Sequence, residues 1–250
     1  MSNLERLYWS YSNILKIVPK IKKYFKITST NLGEGSYSLL KFSLVQFVSR
    51  PLLIIMAGVH GEEPAPTLAV FKYYSKFYKL AQKSKINLII YPLVNSWGFD
   101  HIKRYTKTNI NCADNWIHKK IGPTALSVKL LKKMLKKDIK DNNKVMFIDL
   151  HEDSNKPKKF YLYSFGNRKY EKALLSVAAR YFSIAKDNSS INLVDGAIYE
   201  KHDGTAEDFM SHQNRVISSC CTETPSGQLL DQRIACNKEI IESTIINISK

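Results

Sequence analysis

Leu52-Leu53-Ile54-Ile55-Met56-Ala57-Gly58-Val59-His60-Gly61-Glu62-Glu63-Pro64 is the stretch on which the fold turns. Its apolar run shows no alternation, the pattern of a strand covered on both faces within a parallel-rich sheet. Such a strand delivers polar side chains only where it emerges, at its carboxyl end. There His60 and Glu63 stand three residues apart. Gly58 and Gly61 allow a tight exit, Pro64 can occupy a first helical turn, and residues 67–82 follow with amphipathic helical spacing.

A second apolar run, Val145-Met146-Phe147-Ile148-Asp149-Leu150-His151-Glu152, also closes on a histidine. Two buried strands therefore end in candidate ligands. A hydrolytic zinc ion takes two His and one Glu and leaves a position for water, a set that His60, Glu63 and His151 supply. One zinc ion per chain is the expected cofactor. Far downstream, Cys221-Thr222-Glu223-Thr224-Pro225 puts a carboxylate at the end of another apolar strand. Glu223 is the expected general base, since a nucleophilic water needs a neighbour to take its proton and pass it to the leaving nitrogen.

Around these motifs, strands are expected near residues 25–29, 36–47, 52–57, 86–94, 145–150, 160–164 and 216–222. Helices are expected at 3–23, 67–82, 124–137, 169–182, 206–213 and 228–249. Helices between strands imply a three-layer α/β/α sandwich around a mixed, mostly parallel sheet, its early adjacent strands antiparallel. The 250 residues, 44% of them hydrophobic, can bury one large core. They contain no Ser/Gly linker and no repeat, so residues 1–250 read as one catalytic domain, with an amphipathic helix in 1–24 packed on it.

Composition narrows the function classes. No apolar run approaches the roughly 20 residues of a membrane span, and the opening helix lacks the uncharged core of an export signal. Cys112, Cys220, Cys221 and Cys236 have no C-x-x-C spacing. Together these features lead us to expect reduced thiols and a cytoplasmic location. The 38 Lys and Arg against 22 Asp and Glu give a formal charge of +16. Lysine dominates that excess in runs that read as solvated faces, without a recognisable nucleic-acid module, so no specific nucleic-acid partner is expected.

Taken together, the residues between about 52 and 223 resemble the zinc carboxypeptidases, or funnelins, including their branch of aspartoacylase-like and succinylglutamate desuccinylase-like deacylases. His60-Gly61-Glu62-Glu63 is similar to the family's first zinc motif, Asp149-Leu150-His151-Glu152 to its second, and Glu223 to its catalytic glutamate, in the same chain order. Asn95-Ser96-Trp97-Gly98-Phe99 with Arg104 resembles the N-P-x-G-F segment and the arginine after it. The resemblance implies that Arg104 steadies the oxyanion and that Asn95 lies among the substrate-binding residues. Ile198-Tyr199-Glu200 resembles the loop whose tyrosine caps substrate, which makes Tyr199 the expected cap.

One segment departs from the pattern. Where the family shows D-x-N-R, this chain reads Asn111-Cys112-Ala113-Asp114, with Asp114-Asn115-Trp116 as the other alignment. In the first alignment Asn111 replaces an aspartate that orients a zinc-binding histidine, and Asp114 stands where an arginine grips the substrate's α-carboxylate. An aspartate there repels that carboxylate. Asp114 or Glu207 could instead bind an amine, and Arg168 or Arg215 a carboxylate from another direction. The expected activity is hydrolysis of an amide in a small peptide, a cell-wall-derived peptide included, or in an acylated amino acid. The rival readings are an N-acyl amino acid deacylase, and a zinc-binding module with a basic anion-binding surface. Oligomeric state is left open.

Overall fold

The computed structural model describes residues 10–117, 122–153, 158–186 and 192–249. Residues 3–9 of the expected opening helix lie outside them. The apolar run at 52–57 forms β3 (Leu52–Ala57), buried at every position. Its neighbours β4 (Asn87–Tyr91) and β5 (Val145–Asp153) are likewise buried throughout and pair with it in parallel. β10 (Val216–Pro225) continues the parallel core on the far side of β5.

Antiparallel pairing appears at the margins, as the close spacing of the early strands implies. β1 (Lys26–Asn31) and β2 (Ser38–Leu44) form a hairpin that joins β4. Beyond β10 lie antiparallel β6 (Lys159–Gly166), then the short β9 (Ala197–Tyr199) and β8 (Leu193–Val194), so the order is β1-β2-β4-β3-β5-β10-β6-β9-β8. β7 (Ser183–Ile184) pairs with the start of β6.

Side-chain alternation along the central strands divides the core in two. Met146, Ile148 and Leu150 of β5 join the cluster under α1 (Tyr11–Ile21), α2 (Pro64–Lys83), α5 (Arg168–Ala178) and α7 (Leu230–Ile248). Val145 and Phe147 point to the opposite face, beneath α4 (Leu126–Ile139) and α6 (Ala206–Ser211). Helices on both faces of a mixed sheet give the expected three-layer sandwich. Strand side chains alternate, so Asp149 and His151 share the α4/α6 face, and His151 stands level with Glu223 on β10.

Several boundaries differ from expectation. The expected strand at 36–47 is paired only over Ser38–Leu44, where apolar positions alternate inward. β5 and β10 each run past the residues expected to end them, so His151 and Glu223 are strand residues and not loop residues. The short α3 (Ser96–His101) and the strands β7, β8 and β9 were not apparent, being too brief for a periodic signal.

Candidate metal centre and active site

A turn built on glycine places the first pair of candidate ligands. Gly58 has φ 66°, and a Cβ on Gly61 would fall 1.9 Å from the carbonyl carbon of Gly98. Only glycine allows that approach, which presses the His60–Glu63 turn onto α3. Gly61 N–H donates to the Lys103 carbonyl at 3.0 Å, locking the turn to the segment that carries Arg104. Glu63 then occupies the residue before α2, whose first position is Pro64.

The carboxylate of Glu63 is gripped from both sides. His60 Nδ1 lies 2.6 Å from Oε1 and His151 Nδ1 lies 2.9 Å from Oε2. All three side chains are buried, and one ligand atom from each lies within 4.8 Å of the others. The outward nitrogens are engaged as well: His60 Nε2 is 3.1 Å from Asn111 Oδ1, and His151 Nε2 is 3.1 Å from Asp149 Oδ2. Bonds of this kind at Nε2 would fix the ring tautomer in which, with an ion in place of the Nδ1 protons, both Nδ1 lone pairs face one common point. Two imidazoles and a carboxylate converging there fit a divalent transition-metal ion with an open coordination position.

Electrostatics agree with that geometry. Burial would raise the Glu63 pKa, but His151 and His60 outweigh it and hold the carboxyl well below the usual range. Burial would lower that of His151, yet Asp149 and Glu63 raise it well above the ordinary histidine value. The pocket is thus built to hold positive charge beside Glu63.

Glu223 is partly exposed on β10, directly across from His151. Burial, opposed by His151 but reinforced by Glu63, Asp153 and Glu207, pushes its pKa well up. A divalent cation beside it would favour the carboxylate form instead. Arg104 Nη1 reaches Glu62 at 3.3 Å and Glu63 at 3.2 Å, so its guanidinium lies at the edge of the cluster with its side chain 41% exposed.

Not every expected residue comes to this point. Tyr199 does not: it pairs with Ser164 on β6, and its side chain packs on the opposite face of the sheet. There its hydroxyl donates to Glu171 Oε1 at 2.6 Å and its ring lies under the Arg168 guanidinium. The strand alternation that puts Tyr199 on that face removes it as a substrate cap. Asn95 is 1% exposed and is occupied in capping α3, accepting from Gly98 N–H and donating to the Arg104 carbonyl. It positions the arginine segment and is not available to substrate.

Asn111 meets His60, as the first of the two alignments implies, and its oxygen also accepts from Ala113 N–H. Asp114 is exposed in the same turn. Glu207 is buried in α6, its pKa pushed to about 7 by burial and by Asp149.

Other residues surround the site. Glu152 and Asp153 are buried. Glu152 accepts from Ala65 N–H at the start of α2 and pairs with Arg233 of α7, while its own N–H donates to Glu63 Oε2 at 3.1 Å. Tyr161 and Tyr163 lie on the Glu223 face of β6, and Tyr161 donates to Asp153 at 2.9 Å. Their alternation along the strand, opposite Glu223 and Cys221, was the available signal.

The model of the succinylglutamate desuccinylase/aspartoacylase catalytic-domain family matches residues 49–225, well over half of the chain. The chain belongs to that family. No curated protein matches it. Its fold is shared with a candidate metallopeptidase of Shewanella denitrificans OS217, at 22% identity and a TM-score of 0.82 over 95% of this chain and 90% of that one. A second, from Shewanella amazonensis SB2B, shows 24% identity and a TM-score of 0.80 over 94% and 91% of the two chains. A metallo-carboxypeptidase from Burkholderia cenocepacia shares the fold at 15% identity and a TM-score of 0.70, over 96% of this chain and 69% of that one. The α/β fold is thus that of the carboxypeptidase-like hydrolases.

Proposed function

We infer that the chain is a zinc-dependent amide hydrolase that cleaves an acylated amino acid or a small peptide, residues 1–250 acting as one catalytic unit. The observation that carries this reading is the meeting of His60 Nδ1, His151 Nδ1 and the Glu63 carboxylate beside Glu223. When bound, zinc held by His60, Glu63 and His151 supplies Lewis acidity to the scissile carbonyl and to the attacking water. The Glu223 carboxylate takes the proton of that water and returns it to the leaving nitrogen. Arg104, at the edge of the cluster, offers N–H donors to the oxygen on which negative charge grows. Asn111 and Asp149 keep the two imidazoles in the orientation that exposes Nδ1.

The substrate end is read from the turn after Arg104. In the first of the two alignments Asp114 stands in for the arginine that grips a free α-carboxylate, which disfavours C-terminal trimming of ordinary peptides. Family membership favours an N-acyl amino acid, and a cell-wall-derived peptide with an amine near the cleaved bond fits the same acidic turn. The four cysteines are free and buried, which supports a reducing compartment. Among the described residues, no helix is long and apolar enough to cross a membrane.

The test is metal content by inductively coupled plasma mass spectrometry, comparing the wild type with the His60→Ala/His151→Ala variant, followed by turnover of acyl-amino acids and of peptides. About one zinc per chain, lost in the variant, with turnover abolished in Glu223→Gln, is the expected result. No metal after reconstitution with zinc would overturn the hydrolase reading. Metal without turnover of any amide would leave a zinc-binding module.

A further inference from the structure

A second cluster of ligand-type side chains lies on the same face of the sheet as Glu223, around α6. The chain leaves β9 at Tyr199, passes His202, and enters α6 at Ala206. Asp208 stands in the first turn of that helix and His212 just after its end. His202 Nδ1 lies 2.8 Å from Asp208 Oδ1, and His212 Nδ1 lies 3.5 Å from the same oxygen. The two imidazole rings are 5.6 Å apart at their centroids. One ligand atom from each of the three residues lies within 4.8 Å of the others.

Charge makes this more than a pair of hydrogen bonds. The Asp208 side chain is 2% exposed, and among the described residues it has no Lys or Arg partner; its ion-pair partners are the two histidines alone. Its second oxygen is occupied, accepting Gly204 N–H at 2.9 Å. A buried carboxylate calls for a compensating positive charge, and a divalent ion held between it and the two imidazoles supplies one. The histidine side chains are 60% and 55% exposed, so an ion could reach them from solvent and keep water on its remaining positions. The 2.8 and 3.5 Å separations bracket the edge of a tetrahedron with bonds of about 2.1 Å, roughly 3.4 Å.

We propose that His202, Asp208 and His212 form a second metal site, separate from the His60–Glu63–His151 centre, that takes a borderline transition-metal ion such as Zn2+, Ni2+ or Cu2+. To bind by Nδ1, His212 gives up its 2.7 Å bond to the Asp208 carbonyl, which Ser211 Oγ–H continues to occupy at 2.7 Å. The ion ties the connection after β9 to the end of α6. It thereby fixes the segment that holds Glu207 against the catalytic face, where Ser219 of β10 donates to the Glu207 carbonyl.

Calorimetric titration of the protein as purified with Ni2+ tests this, alongside His202→Ala/His212→Ala and Asp208→Asn. The wild type is expected to show a saturable Ni2+ site that the double variant lacks and that Asp208→Asn weakens at least about tenfold. In the His60→Ala/His151→Ala background the Cu2+ complex is expected to show imidazole-nitrogen couplings by electron paramagnetic resonance, lost when His202→Ala/His212→Ala is added. The same site is expected to survive in His60→Ala/His151→Ala, which separates it from the catalytic centre. Unchanged Ni2+ binding in the double variant, or no saturable site in the wild type, would overturn the proposal. Should the double variant melt at a lower temperature when metal-free, Asp208→Asn decides, because asparagine keeps an oxygen for Gly204 N–H and removes only the charge.

Discussion

Asn111 is where the centre departs from its family's pattern at the level of a single atom. Its Oδ1 accepts from His60 Nε2 as an aspartate would, but without the charge that makes the imidazole a stronger ligand. Asn111→Asp is therefore expected to tighten metal binding about 10- to 100-fold, read by competition with a chromogenic chelator. Equal affinity would mean that the amide orients the ring as well as a carboxylate does. At Glu223 the expectation is a loss: Glu223→Gln should lower kcat by about 100-fold or more with metal content intact, since the amide cannot accept a proton. At Asp114 it is a gain, with Asp114→Arg raising activity on peptides that end in a free carboxylate relative to their amidated forms. That His60, Glu63 and His151 come together, with Glu223, Arg104 and Asn111 beside them, follows from residue type and position at the strand ends. The place of Asn95 does not, because a side chain occupied in capping a helix looks, in sequence, like one that faces substrate.

Elements place these atoms, and the closest tolerance lies between the turn after β3 and α3. A methyl group on Gly61 would stand only 1.9 Å from the Gly98 carbonyl carbon, so Gly61→Ala must push the two segments apart. The variant is expected to lose about 2–4 kcal/mol of stability and to weaken metal binding, measured by denaturant unfolding and by metal content. A mild Gly61→Ala variant with full metal would show that α3 can slide. Across the sheet, Arg233 of α7 compensates the buried Glu152, whose backbone holds Glu63. The strand β3 was legible because burial on both faces leaves an unbroken apolar run, and β5 because its run is broken only by Asp149 before His151; β10, interrupted by Ser218 and Ser219, carries the signal less completely. Tyr199 was misplaced because a three-residue strand has too few positions to show its alternation. The link through Arg233 was hidden for another reason: it joins residues 81 apart and leaves no local pattern.

For the molecule as a whole, the +16 charge says little about fold, and the lysines sit largely on outer surfaces such as α4, where Lys132 and Lys136 both lie over the Phe209 ring. The buried acids weigh more on stability. Burial, and then Asp149, raise the Glu207 pKa from an ordinary 4.5 to about 7. Between those two values the folded chain binds a proton that the unfolded chain has released, so stability falls as pH rises through that window and levels off above it. The full shift corresponds to at most roughly 3 kcal/mol, an upper bound because buried acids draw in water. Glu207→Gln keeps the shape and removes the ionisation, so the metal-free variant should match the wild type near pH 4.5 and exceed it in Tm at pH 8. Burial raises Glu152 to about 7 as well, against Arg233, so the variant's own curve should still decline across the same window, only less steeply. Parallel melting curves for the two proteins from pH 4.5 to 8 would show that Glu207 ionises in the fold without penalty, and that the α4/α6 face is wetter around Asp149 than its burial implies.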